Sequence, residues 1–194
     1  MAATILLLRR FGASLLGNEP FRLAALAALT ALELDWATKS WALHALTGPM
    51  PLGDLTLGVE HNTAFAFSTG AGAVSRELVA AVRLLAVTAL VLMAGTLGLR
   101  ERRHAAGLGL IVGGGLGNSG DLLFRTHGVV DFIGAGPFAL RLGGQEMAFG
   151  LIFNIADLSV LIGIALLAPL IRLWAIAAHV RIRQWQRRWL AGES

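Results

Sequence analysis

The sequence predicts an all-α membrane protein with four transmembrane helices, a small outer β-hairpin or sheet, and an interfacial C-terminal helix. Three observations lead there. Of the 194 residues, 56% are hydrophobic and only 14% charged, far too apolar for an ordinary soluble domain. The few charges leave room between them for several runs of about 20 apolar residues, the length that crosses a ~30 Å hydrocarbon core. The basic residues also gather on alternate connections between those runs.

Residues 1–21 read as a cytoplasmic N-terminal lead. Arg9, Arg10 and Arg22 ahead of a short apolar core also suit a cleaved signal peptide, but Glu33 and Asp35 are unlike a small-residue cleavage site. Residues 22–172 form the four-span membrane unit. Helix one runs from Leu23 to about Leu43 and carries Glu33, Asp35 and Lys39. Helix two runs from Leu78 to Leu99, with Arg83 near enough to its end to snorkel to the interface. Helix three, Ala105 to Phe124, holds seven glycines between Gly107 and Gly120, including the Gly109-x-x-x-Gly113 and Gly113-x-x-x-Gly117 spacings. Small residues one turn apart let helix backbones approach closely, which places this span at the centre of the bundle. Helix four is expected from Met147 to Ile171. The outer loops are then about 45–73 and 126–146. In the first, Leu55, Leu57 and Val59 alternate with polar residues, and Phe65 and Phe67 resume after Glu60-His61-Asn62-Thr63, a strand-turn-strand pattern. Residues 173–194 form a basic amphipathic tail, its tryptophans interleaved with arginines as in a helix lying on anionic lipid.

Orientation follows from the arginines. Eleven of the 16 basic residues (Arg9, Arg10, Arg22, Arg100, Arg102, Arg103, Arg172, Arg181, Arg183, Arg187 and Arg188) flank the termini or the connection of helices two and three. By the positive-inside rule both termini are cytoplasmic and the long loops face outward. The +4 net charge is thereby explained as membrane flanks, and no nucleic-acid partner is expected.

With no cysteine, the chain has no thiol nucleophile, thiolate metal site or disulfide. No His-Glu-x-x-His pattern is present, so no metal or other cofactor is expected, and Gly117-Asn118-Ser119-Gly120 is only a weak approach to a serine elbow. Carboxylates are left. At 1.5 Å per residue, Asp35 lies about 20 Å from the inner face, Asp121 about 24 Å, and Asp157 about 12 to 15 Å from the outer face. With Asp131 just past helix three, four aspartates from different segments converge on the outer leaflet. Asp35 has Lys39 and Asp121 has Arg125 one helical turn away. Asp131 and Asp157 have no such partner, and two carboxylates brought together at a membrane edge share one proton. That is the arrangement of an aspartic protease, in which the ionised member activates water and the protonated member polarises the scissile carbonyl.

Five segments in order, Asp35-Trp36-Ala37-Thr38-Lys39, Asn62-Thr63-Ala64-Phe65-Ala66-Phe67-Ser68, the stretch from Gly113 to Asp121, Val129-Val130-Asp131-Phe132-Ile133 and Phe153-Asn154-Ile155-Ala156-Asp157, resemble the motifs of bacterial lipoprotein signal peptidase (signal peptidase II). The resemblance implies a catalytic pair at Asp131 and Asp157. It also implies that Asn62, Asn118 and Asn154 hold the substrate or orient the pair, and that Asp35, Lys39 and Asp121 brace the site. The implied reaction removes the signal peptide from a diacylglyceryl-modified prolipoprotein, at the periplasmic face of the bacterial inner membrane, by a monomer contacting membrane lipid. The chain departs from the pattern at Trp36 and Ala64-Phe65. It departs again at Leu122, where the motif carries an arginine, which puts that arginine at Arg125 or removes it. A non-catalytic relative that binds lipidated peptides or a peptide antibiotic is the alternative. A proton-coupled carrier is weaker, since no internal repeat is visible.

Overall fold

The computed structural model describes residues 18–62, 75–97, 101–142 and 145–190. In chain order these form α1 (Glu19–Ala45), β1 (Met50–Leu52), β2 (Leu55–Asn62), α2 (Arg76–Leu97), α3 (Arg102–Phe124), β3 (Val129–Leu142), β4 (Gln145–Phe153) and α4 (Ile155–Leu190).

Helix α1 starts at a conventional N-terminal signal. The Asn18 side chain accepts a hydrogen bond from the Phe21 backbone N–H at 3.3 Å, with Pro20 and the acidic Glu19 in the first turn. Its buried residues, Ala31, Asp35, Lys39 and Ala42, fall at helical spacing and form one stripe. That stripe lies on α3, the central helix. A Cβ at Gly109 or Gly113 would run into the Ala24 or Ala28 carbonyl oxygen of α1, and one at Gly114 into the Ala156 oxygen of α4. The glycines therefore face three neighbours, α1, α4 and, at Gly115, the helix that carries Val87, which explains their number. The order of these contacts also fixes direction. Gly109, Gly113 and Gly117 meet α1 at Ala24, Ala28 and Asp35, so those helices run parallel, while Gly107 and Gly114 meet α4 at Gly163 and Ala156, so that pair is antiparallel. Helix α2 is antiparallel to α3 as well: Val87 lies on Gly115, and Val79 and Ala80 pack with Leu122 and Val129.

Because the Gly113 position is closed by backbone, Gly113→Ala is expected to lower stability by about 1–3 kcal/mol through overpacking. Thermal unfolding in detergent checks it; an unchanged midpoint would mean that α1 and α3 can separate freely.

The outward surface is apolar. Leu26, Leu29, Leu85, Leu92, Leu161 and Ile162 are all more than half exposed. The segment Ile155–Leu173 of α4 is long and apolar enough to cross a membrane, with mean hydropathy 2.0 and only 22% of it buried inside the protein. An apolar belt of this kind has no place in water and suits lipid.

The four strands form one antiparallel sheet in the order β1-β2-β3-β4. β1 turns into β2 at Gly53-Asp54, where Gly53 takes φ 61°, a backbone conformation that glycine adopts without steric cost. β2 pairs with β3 through Glu60↔Asp131 and Asn62↔Val129, with an irregularity between Leu57 and Glu60.

Several expectations need correction. Residues Met147–Phe153 belong to β4, so the fourth helix starts at Ile155 and Asp157 lies in its first turn, not 12 to 15 Å along it. A short apolar run does not by itself distinguish a buried strand from a helix. The loop expected at about 126–146 is largely strand. The turn of the outer hairpin lies at Gly53-Asp54, and Glu60, His61 and Asn62 are within β2; Phe65 and Phe67 fall outside the described residues. The tail does not form a helix of its own but continues α4 to Leu190, through Pro169. A single proline removes one backbone hydrogen bond without ending a helix whose neighbours favour it. Of the N-terminal lead, residues 1–17 lie outside the described residues, and α1 takes in part of the rest.

Candidate active site

The predicted site residues meet at one end of the bundle, where α1, α3 and α4 approach the sheet. The deepest layer is ionic. The Lys39 Nζ, fully buried, sits 2.7 Å from Asp35 Oδ2 and 2.8 Å from Asp121 Oδ2, and donates to Asn118 Oδ1 at 2.8 Å. Asp35 Oδ1 accepts from the Ala156 backbone N–H at 3.0 Å, fastening α1 to the start of α4. Asp121 Oδ1 accepts from Arg125 Nε at 2.6 Å, and its Oδ2 from the Val130 N–H at 3.4 Å, fastening α3 to β3. Buried charges persist only when paired and hydrogen-bonded, and each group here is.

Asn118 links this layer to the next. Its Oδ1 also accepts from Asn154 Nδ2 at 3.0 Å, while its Nδ2 donates to Asp157 Oδ1 at 2.8 Å. Asn154, fully buried, is the N-cap of α4. Its Oδ1 accepts from the Asp157 N–H at 3.0 Å, and Asp157 Oδ2 accepts from the Asn154 N–H at 3.2 Å. This reciprocal capping arrangement, three residues apart, fixes the carboxylate relative to the helix end. The Asn154 amide also donates to Asp131 Oδ1 at 2.6 Å, so Asn154 is bonded to both carboxylates. Asn62, brought in by β2, donates to Asp131 Oδ2 at 3.4 Å. The Trp41 ring packs edge-on against Phe132, next to Asp131, with centroids 6.5 Å apart.

Burial pushes the Asp131 carboxyl up to about 6, and the charge of Asp157 adds to the effect. The hydrogen bonds from Asn62 and Asn154 and the charge of Lys39 act in the opposite direction without cancelling it. A carboxyl with this value exchanges a proton near neutral pH, which is what acid–base chemistry requires.

Arg125 reaches Asp121, leaving open which cation faces the carboxylate pair. The guanidinium that interacts electrostatically with both Asp157 and Asp131 is that of Arg83, on α2. Sequence reasoning treated Arg83 as a snorkelling residue. The available signal was its position: a cation seven residues into α2, about 10 Å along the axis, is a functional candidate by default. The backbone donors Ala156 and Val130 carried no sequence signal at all. Among the described residues, no cluster of histidines and carboxylates suited to a metal ion is found.

Comparison with known proteins follows the same chain segments. Residues 27–173 match the family model described as signal peptidase (SPase) II. The chain is 33% identical over 156 residues to a lipoprotein signal peptidase of Rhodopseudomonas palustris, covering 76% of this chain and 90% of that one. It is 37% identical over 153 residues to a lipoprotein signal peptidase of Nostoc punctiforme, covering 75% and 87%. A solved bacterial membrane enzyme determined by the in meso method superimposes with a TM-score of 0.61 at 22% identity, over 76% of this chain and 91% of that chain. A second such structure gives 0.57 at 23% identity, over 77% and 87%. At these identities the structures speak to the fold.

Proposed function

This chain belongs to the signal peptidase II family, and from that premise we propose that it is an aspartyl endopeptidase whose Asp131 and Asp157 cut the signal peptide from diacylglyceryl-modified prolipoproteins. Lipoprotein signal peptidase in the inner membrane is its family-level function. The specific mechanism is supported by one observation above others: Asn154 is hydrogen-bonded to both carboxylates, and Asn118 and Lys39 hold the layer beneath.

In this reading the pair holds one proton. Asp157 takes a proton from a bound water as its oxygen bonds to the scissile carbonyl carbon, and the proton on Asp131 passes to the carbonyl oxygen. Collapse of the resulting diol breaks the C–N bond. The proton gained by Asp157 goes to the leaving amine, and a diol proton returns to Asp131, restoring the starting state. Asn62, Asn118 and Asn154 orient the pair or hold the substrate backbone, while Asp35, Lys39, Asp121 and Arg125 brace them. The alternation of helix directions supports a four-pass topology with both termini cytoplasmic and the sheet at the periplasmic face. Residues 22–172 then form the catalytic unit, between the lead and a basic membrane-surface tail, in a monomer that contacts lipid.

The direct test is a gel-shift assay with a lipidated precursor and the purified chain in detergent, run beside a reference family enzyme. A cut precursor supports the reading. An intact precursor beside a working reference would favour a non-catalytic relative that binds lipidated peptides. The pH profile gives a second check. Since the Asp131 carboxyl is raised to about 6, the proton the mechanism needs is present below that pH and lost above it. The kcat/KM is therefore expected to fall on the alkaline side with an apparent pKa at or somewhat above about 6. A profile that rises through this range would reverse the assignment of the proton.

A further inference from the structure

The charges around the carboxylate pair nearly balance, and α2 supplies the cation that decides the remainder. Among the described residues at the site, the carboxyl groups are Asp35, Asp121, Asp131 and Asp157. The cations are Lys39, Arg125 and Arg83. Lys39 and Arg125 are engaged in short ion pairs with Asp35 and Asp121. Arg83 is the remaining positive charge, and it interacts with both Asp157 and Asp131. With one proton on the pair, the cluster as a whole is neutral.

Packing explains how Arg83 gets there. One turn before it, Val79 and Ala80 are fully buried in a cluster with Leu122 of α3 and Val129 of β3. One turn after it, Val87 lies on Gly115. Arg83 is thus held between two fixed contacts, at the level where α3 presents Asn118, the residue that donates to Asp157. Leu122 stands where the motif pattern carries an arginine, and it is used as an apolar anchor for α2. The other charged groups near Asp131 are Lys39 of α1 and the exposed Glu60, its cross-strand partner on β2.

We propose that Arg83 is a positioning residue that sets the Asp131–Asp157 pair to hold a single proton, taking from α2 a role that Arg125 and position 122 do not fill. The proposal rests on the dyad reading above, but its test does not require turnover. An opposite charge a few ångströms from a carboxyl group moves its pKa by about one unit or more. The carboxyl C=O stretch of the protonated pair, assigned by its loss in Asp131→Asn, can be titrated by infrared difference spectroscopy in detergent. In Arg83→Met its midpoint is expected to move up by about one pH unit or more, and in Arg83→Lys to return toward that of the unaltered chain. Should the methionine variant fail to fold, Arg83→Gln, uncharged but polar, carries the same reading. A midpoint unchanged in the uncharged variant overturns the proposal, as does a shift of equal size in Arg83→Lys. Cleavage of a lipidated precursor by the unaltered chain is measured alongside. Failure there counts against the protease reading, while the infrared midpoint alone decides the role of Arg83.

Discussion

Asp157→Asn is expected to reduce cleavage of a lipidated precursor by about 10³-fold or more while the chain stays folded. The carboxamide is nearly isosteric and keeps an oxygen that can accept from Asn118 Nδ2 or from the Asn154 N–H, so the capping of α4 largely survives. What it lacks is a basic oxygen to take the proton from water. In the proposed mechanism the two carboxyl groups act as a unit, so Asp131→Asn should cost about as much and the double variant should be little worse than either single one. Single-turnover assays with matched thermal melts separate this from unfolding. Residual cleavage within tenfold of the unaltered chain would remove these residues from the chemistry.

The second large effect is on stability. Lys39→Met is expected to destabilise the fold by about 3–5 kcal/mol, since it leaves Asp35 and Asp121 buried with one shared cation removed. Lys39 is fully buried and its Nζ touches Asp35, Asp121 and Asn118, so no water can replace it without opening the α1–α3 contact. Asp121 would keep Arg125, but Asp35 would keep only the Ala156 N–H. Asp35→Asn in the same chain should therefore recover part of the loss, a positive coupling that a thermal double-mutant cycle would register. If Lys39→Met melts with the unaltered chain, the ionic layer does not hold the bundle together.

Much of this architecture was legible in advance because it rests on patterns local to the chain. Apolar runs bounded by arginines located the first three helices to within a few residues of their observed ends, and the glycine spacing of α3 marked it as central. The positions of Asp131 and Asp157 stood out because neither has a basic neighbour at helical spacing. Where pattern and structure part, the cause is physical ambiguity. The stretch from Met147 to Phe153 is apolar enough for either a strand or a helix, and its pairing with β3, a partner expected to be loop, made it a strand. The tryptophans interleaved with arginines beyond residue 173 suggest a separate tail helix, yet helix propensity on both sides of Pro169 carries α4 through.

Local chemistry in the sequence determined which groups this protein can use: carboxylates, amides and a few cations, with no thiol, near the ends of apolar helices. Only the tertiary structure decided which of them touch. Asn154 is bonded to both aspartates because a helix cap, a strand and the amide of α3 meet at one point, and Arg83 interacts with the same two aspartates from a helix that Val79 and Val87 dock on α3. Contacts between residues 20 to 120 positions apart depend on how helices and strands pack, and no periodicity within a single segment encodes them.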